Sequence, residues 1–202
     1  MLSALVLSAA VMLSAPVVEP VNRVPGTIYI GDSRFNGMDM YTNKGEGFVV
    51  AKDSMGYSWL TRTALYEVDR IKAENPDIES WTIVSNLGVN DLDNCQHYIN
   101  QFSKLKEAGD RVVIVSVNPT EGKRKQLNTK IDEFNKAMSE SDLEYLDLNS
   151  HLKEVGYDTS DGVHYMKNSS IEIWNEINAY LLDEGTTEYD DWYCLRDELD
   201  NP

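Results

Sequence analysis

The sequence predicts a three-layer α/β/α sandwich around a five-stranded, mainly parallel sheet, and three observations carry that prediction. Short β-branched or aromatic runs alternate with segments of helical periodicity five times along the chain. Arg111 to Val117, read Arg-Val-Val-Ile-Val-Ser-Val, is apolar almost without alternation, as a parallel strand covered on both faces must be. Several strand runs stop abruptly at turn residues, Gly31 and Asn118-Pro119 among them. Right-handed crossovers then place every strand's carboxyl end on one rim, where open α/β sheets hold their ligands.

The elements follow in order. Thr27-Ile28-Tyr29-Ile30-Gly31 is the first strand and feeds a tight turn at Asp32-Ser33. Residues 35–44, rich in Asn, Gly, Asp and Met, show no clean period and read as a loop. Phe48-Val49-Val50-Ala51 is the second strand, closed by residues 52–56. From 57 to 73, Leu60, Ala64, Leu65, Val68 and Ile71 recur at helical spacing, and Asn75-Pro76 ends that helix. Trp81-Thr82-Ile83-Val84 is the third strand. A helix over 92–108 carries Tyr98, Phe102 and Leu105 on one face and stops at Gly109. After the fourth strand, 125–138 is amphipathic, with Leu127, Ile131, Phe134 and Met138 facing inward. Residues 143–148 supply the fifth strand, 149–167 a loop, and 169–182 the last helix, capped by Asn168 or Ser169.

At 202 residues the chain suits one principal domain, over 26–183. Residues 1–25 read as a signal peptide and linker: an apolar core too short to span a bilayer precedes Ser14-Ala15-Pro16, although no Lys or Arg stands before it. A buried strand or helix is the alternative for this segment. Residues 184–202 form an acidic tail, but Tyr189, Trp192, Tyr193 and Leu195 suggest that it packs back on the domain. The expected location is therefore secreted or cell-surface, with no membrane insertion after signal removal. A formal net charge of -16 repels phosphate backbones, so nucleic acid is excluded as a partner, while the oligomeric state is left open. Cys95 and Cys194 lack the close spacing of a metal knuckle; in a secreted protein they could form one disulfide. No metal or cofactor is predicted.

Three strand ends carry chemistry-bearing residues: Gly31-Asp32-Ser33 after the first strand, Gly88-Val89-Asn90-Asp91 after the third, and Asp161-Gly162-Val163-His164 in the loop after the fifth. Nucleophilic acyl transfer needs a hydroxyl, a base, a group that orients the base, and donors aimed at the developing oxyanion. Asp161 and His164, three residues apart, can pair a carboxylate with imidazole Nδ1 and leave Nε2 for Ser33. Each piece alone has a plainer reading. Gly-Asp-Ser can be a turn, Asn90 the cap of the next helix, and Asp-x-x-His a loop hydrogen bond. Their order and their common rim favour the catalytic reading. His97 and His151 lack such a pattern, and the elbow Gly-x-Ser-x-Gly of the other common esterase fold is absent.

On these motifs, over roughly residues 27–182, the sequence resembles the SGNH hydrolases, the GDSL-type esterases and lipases. The resemblance implies a flavodoxin-like fold and assigns roles by motif. Ser33 matches the nucleophile, His164 the base and Asp161 its acid. Ser33, Gly56 and Asn90 match the oxyanion hole, with Gly56 and Gly88 expected to let substrate approach closely. One departure stands out: Arg34 and Phe35 replace the leucine that follows the serine in the eponymous motif. Around the site the rim offers Met38, Met40, Tyr41 and Met55, and Arg34, Phe35, Tyr57, Trp59 and Tyr165 are the substrate-binding candidates. With no long apolar insertion to wall a lipid tunnel, the expected substrate is a short acyl ester, acetyl above all, on a small molecule or neutral glycan. The alternatives are a lysophospholipase or thioesterase of the same family, or a non-catalytic carbohydrate-binding protein on this fold.

Overall fold

The computed structural model describes residues 25–41 and 47–183. Residues 1–24 of the proposed signal segment, the acidic tail and Cys194 lie outside them. Strands β1 (Thr27–Gly31), β2 (Phe48–Ala51), β3 (Thr82–Ser85), β4 (Arg111–Val115) and β5 (Glu144–Leu146) form one parallel sheet in the order β2-β1-β3-β4-β5. In register, Tyr29 lies opposite Val49 on one side and Val84 on the other. The pleat sends alternate side chains to opposite faces, so each strand feeds two cores. Ile28, Ile30, Ile83, Val112 and Ile114 join one core, against Val68, Phe102, Ile131 and Phe134. Tyr29, Val84, Val113 and Val115 join the other, against Phe35, Leu152, Ile173 and Trp174. The first layer holds α2 (Tyr57–Trp59), which runs through a π turn (Leu60–Ala64) into α3 (Leu65–Glu74), then α4 (Cys95–Glu107) and α5 (Asn128–Ser139). The second holds α1 (Ser33–Asp39), α6 (Leu148–Val155) and α7 (Lys167–Asp183). The molecule is thus the expected three-layer α/β/α sandwich, with the strand order of the flavodoxin-like folds.

Two segments read as loops are helices. The first is α1: Asp32 caps it, its carboxylate accepting the Arg34 N–H at 3.0 Å, and Phe35 and Met38, three residues apart, are both 1% exposed. Asn36, Gly37 and Asp39 are weak helix formers, so tertiary burial decides where propensity does not. The second is α6, capped by Asp147, which accepts the Ser150 N–H at 3.0 Å; Leu148 and Leu152 bury one face, and Gly156 follows at φ 84°. Helix α7 also starts earlier than the sequence implies. Ser169 is inside it, and its Oγ accepts the Asp158 N–H at 2.8 Å instead of capping the helix. Trp174, with its ring 4.7 Å from that of Tyr29, and Asn178, which accepts the Tyr29 hydroxyl at 2.5 Å, fasten α7 to β1. Cys95 lies with Sγ 3.6 Å from the Phe134 carbonyl oxygen. Among the described residues no helix is long and apolar enough to cross a membrane.

Candidate active site

The sheet order reverses between β1 and β3, because the chain leaves β1 for one edge and returns to its other side. Ligands of open α/β folds occupy the crevice above such a switch point. Ser33 follows β1, Asn90 follows β3, and the segment joining α6 to α7 brings Asp161 and His164 over the same crevice.

Ser33 Oγ is 3.0 Å from His164 Nε2, and His164 Nδ1 is 2.8 Å from Asp161 Oδ2. The other carboxylate oxygen, Oδ1, accepts the backbone N–H groups of His164 at 2.9 Å and Val163 at 3.0 Å. The His164 backbone bond, followed by its imidazole bond, holds the Asp161 carboxyl down to about 2. It therefore stays ionised at any pH where the imidazole could serve as a base. Both side chains are about half exposed, so their geometry comes from the loop backbone. That loop hangs from the turn after β4: Glu121 N–H donates to the Gly162 carbonyl at 2.8 Å, and Thr159 Oγ1 donates to Glu121 Oε2 at 2.7 Å. Gly162 sits at φ 88°, and a Cβ there would drive into the Glu121 carbonyl, so both backbone and space require glycine.

The opposite side of Ser33 is built differently. Asn90 Nδ2 donates to Asp32 Oδ2 at 3.1 Å and to the Met55 carbonyl at 2.9 Å, bridging the residues just before Ser33 and Gly56. Both amide hydrogens are thus engaged, and an oxyanion would have to take one over. Ser33 is the first residue of α1 and Gly56 the cap residue of α2, positions whose N–H groups fall outside the helical ladder and can serve a ligand. Asp91 secures this corner. Its carboxylate accepts the Tyr57 N–H at 2.7 Å, the Asn94 amide at 3.0 Å and the Tyr98 hydroxyl at 2.7 Å. Asp32, fully buried, is held above the usual carboxylate range by that burial.

Several expected roles change. A Cβ on Gly56 would lie 2.5 Å from Asp91 Oδ2, so Asp91, not substrate, is what crowds this glycine. Gly88, at φ 143°, would press a Cβ to 2.7 Å from the Phe134 ring; its need is packing and backbone, not substrate approach. Phe35 is a core residue, and Tyr57 and Trp59 pack half-buried on the first core, with Tyr57 5.4 Å from Tyr98 and 5.3 Å from His97. None of the three lines the cavity of about 360 Å³ beside Ser33, whereas Arg34 and Tyr165 do. Met40 and Tyr41 line it too, as does Asn36, whose amide donates to Asp53 Oδ1 at 2.8 Å, with Asp53 and Ser160. Sequence reasoning missed Asn36, Asp53, Ser160 and the Asp91 anchor. A helical reading of 33–39 would have set Asn36 on the face opposite Phe35 and Met38.

One group among the described residues could share a cation: His151 of α6 with Glu172 and Glu176 of α7, whose ligand atoms lie within 4.8 Å of one another. His151 Nε2 is 3.2 Å from Glu172 Oε1, a partner that its sequence context did not reveal.

No family model and no curated protein matches the sequence. Solved structures do match the fold. An acetyl xylan esterase aligns at TM-score 0.57 and 15% identity, over 80% of this chain and all of its own. A Slackia heliotrinireducens protein assigned as an SGNH hydrolase aligns at TM-score 0.53 and 15% identity, over 78% and 100%. The C-terminal catalytic domain of the Streptococcus pneumoniae peptidoglycan O-acetyltransferase A, with a methylsulfonyl adduct, aligns at TM-score 0.51 and 23% identity, over 83% and 95%. The chain has the fold of the SGNH hydrolases.

Proposed function

We propose that this protein is a serine esterase that removes short acyl groups, acetyl above all, from a carbohydrate. The observation that carries the reading is the continuous line from Asp161 through His164 to Ser33, at 2.8 and 3.0 Å. In the neutral imidazole, Nδ1–H donates to Asp161 and Nε2 accepts the Ser33 proton. Ser33 Oγ attacks the ester carbonyl as its proton passes to Nε2. The resulting oxyanion is met by the N–H groups of Ser33 and Gly56 and by an Asn90 amide hydrogen. Collapse returns the proton from Nε2 to the departing alcohol and leaves an acyl group on Ser33. Water, deprotonated by the same nitrogen, then releases the acid and restores the hydroxyl. The half-exposed base and acid and the small cavity, which mixes Asn36, Asp53 and Ser160 with Met40, Tyr41 and Tyr165, suit a short acyl group carried on a bulky hydrophilic alcohol. The fold likeness to an acetyl xylan esterase supports the same choice. The apolar first residues support a secreted or cell-surface setting.

The test is turnover of p-nitrophenyl acetate by wild type and by Ser33→Ala. Loss of the serine is expected to lower kcat on the order of 10⁶-fold, as for other triad enzymes; equal rates would refute the reading. Faster hydrolysis of octanoyl than of acetyl esters would move the substrate towards lipids or thioesters. A panel of O-acetylated polysaccharides then identifies the glycan.

A further inference from the structure

We propose that Arg34 is a positioning residue that fixes the His164 base against Ser33, an inference that rests on the catalytic reading above. Arg34 follows Ser33 directly, in the first turn of α1, and is 3% exposed. Its Nη1 donates to the Asn118 carbonyl at 2.9 Å and its Nε to the Val163 carbonyl at 3.2 Å. Its guanidinium carbon stands 5.4 Å from the centroid of the Tyr165 ring, within cation–π range. Val163 and Tyr165 are the two chain neighbours of His164. One planar group, rooted beside the nucleophile, therefore grips the base from both sides. Its Asn118 bond ties the assembly to the turn after β4.

What Arg34 lacks is equally informative. Its Nη2 is shielded from solvent without a partner, and among the described residues it forms no ion pair with a carboxylate. A buried guanidinium left in that state is unfavourable, and an apolar side chain would avoid the cost. Leucine, the residue of the motif that this chain otherwise resembles, is such a side chain. What Arg34 touches explains its presence. His164 and Asp161 are about half exposed, so close packing does not fix the imidazole and its backbone has to. A rigid fork can hold a carbonyl and an aromatic face in one geometry; a lysine ammonium can replace one bond but not the fork.

The experiment compares wild type, Arg34→Lys and Arg34→Leu by p-nitrophenyl acetate kinetics and by hydrogen exchange of the Ser160, Val163 and His164 amides. Those amides donate to His164 O, Asp161 Oδ1 and Asp161 Oδ1 respectively. Because a misplacement of about 1 Å can cost about 10²-fold, Arg34→Leu should lose kcat on that order with KM within about twofold, and Arg34→Lys should lose less. Exchange of the three amides should accelerate in both variants, and methylguanidinium added to Arg34→Ala should restore turnover where ethylammonium does not. Wild-type kcat in both Lys and Leu variants, a loss carried by KM alone, or unchanged loop exchange would each overturn the proposal. If wild type shows no Ser33-dependent turnover, the esterase reading falls, and loop exchange still decides whether Arg34 holds the base segment.

Discussion

The two sides of Ser33 solve the same problem in opposite ways. The proposed donor side rests on the core: Tyr98, fully buried, supports Asp91, and Asp91 supports the Gly56–Tyr57 turn. The base side is a loop whose His164 and Asp161 are about half exposed; hydrogen bonds to Asp161, Glu121 and Arg34 order it, and the neighbouring Tyr165 is anchored in the second core. The difference fits the tasks proposed for the two sides. Donors stabilise developing charge best when they need not move, whereas an imidazole has to serve Oγ, leaving alcohol and water in turn.

If that division is right, the donor side should show its largest effect in catalysis. Asn90→Ala removes the amide that bridges Asp32 and Met55 and, in the proposed mechanism, one oxyanion donor. The expected loss is about 10²- to 10³-fold in kcat, read from initial rates at saturating p-nitrophenyl acetate. An activity close to wild type would show that the two backbone N–H groups suffice and that Asn90 only braces the turn. Tyr98→Phe probes one step deeper. It deletes a hydrogen bond to Asp91 and leaves a partly buried acceptor without that partner, which costs about 1–3 kcal/mol, so urea unfolding should show a loss of that order. Its kcat should fall less than that of Asn90→Ala. A larger fall would mean that the turn depends on Tyr98 for its shape, not only for its stability.

The sandwich was legible because two periodicities alternate, and burial enforces both. Arg111–Val115 and the Leu60–Val68–Ile71 stripe could hardly be anything else once a core is needed. Helices α1 and α6 were not legible, because each is short and is defined by a cap and two buried apolar residues rather than by propensity. The residues of the proposed triad stood out because their types and spacing are chemically restrictive. Their support did not. Asp91 reads as the last letter of a motif, and only the fold brings it under Gly56; Arg34 reads as a substrate-binding candidate, and only the fold buries it against Val163 and Tyr165. Aromatics mislead for the converse reason. Phe35, Tyr57 and Trp59 lie near the site in sequence, but burying their area in a core outweighs presenting it to a ligand.

The smallest expected effects compare two aspartates on the two sides. Asp161 is lowered from 3.8 to about 2, chiefly by the His164 backbone bond. A depressed carboxyl adds stability that is fully present above pH 3.8 and is lost as pH falls through about 2. At full value the depression corresponds to about 2.4 kcal/mol, but solvent screening of a half-exposed pair reduces it to under about 1 kcal/mol. Asp32 has the opposite sign. Burial raises its pKa above 3.8, so its contribution is fully present below that value and is lost as pH rises through the elevated one. In urea unfolding from pH 2 to pH 7, chosen as assay conditions, the deficit of Asp161→Asn should shrink on acidification. Asp32→Asn should gain on wild type as pH rises. The mismatch of two facing amides, Asn90 and the new asparagine, is the same at every pH and cancels from that trend. A growing deficit of Asp32→Asn towards neutral pH would mean that the Arg34 N–H and the Asn90 amide stabilise the ionised Asp32 more than burial opposes it. The donor side would then rest on a buried charge, and the contrast with Asp161 would be one of exposure alone.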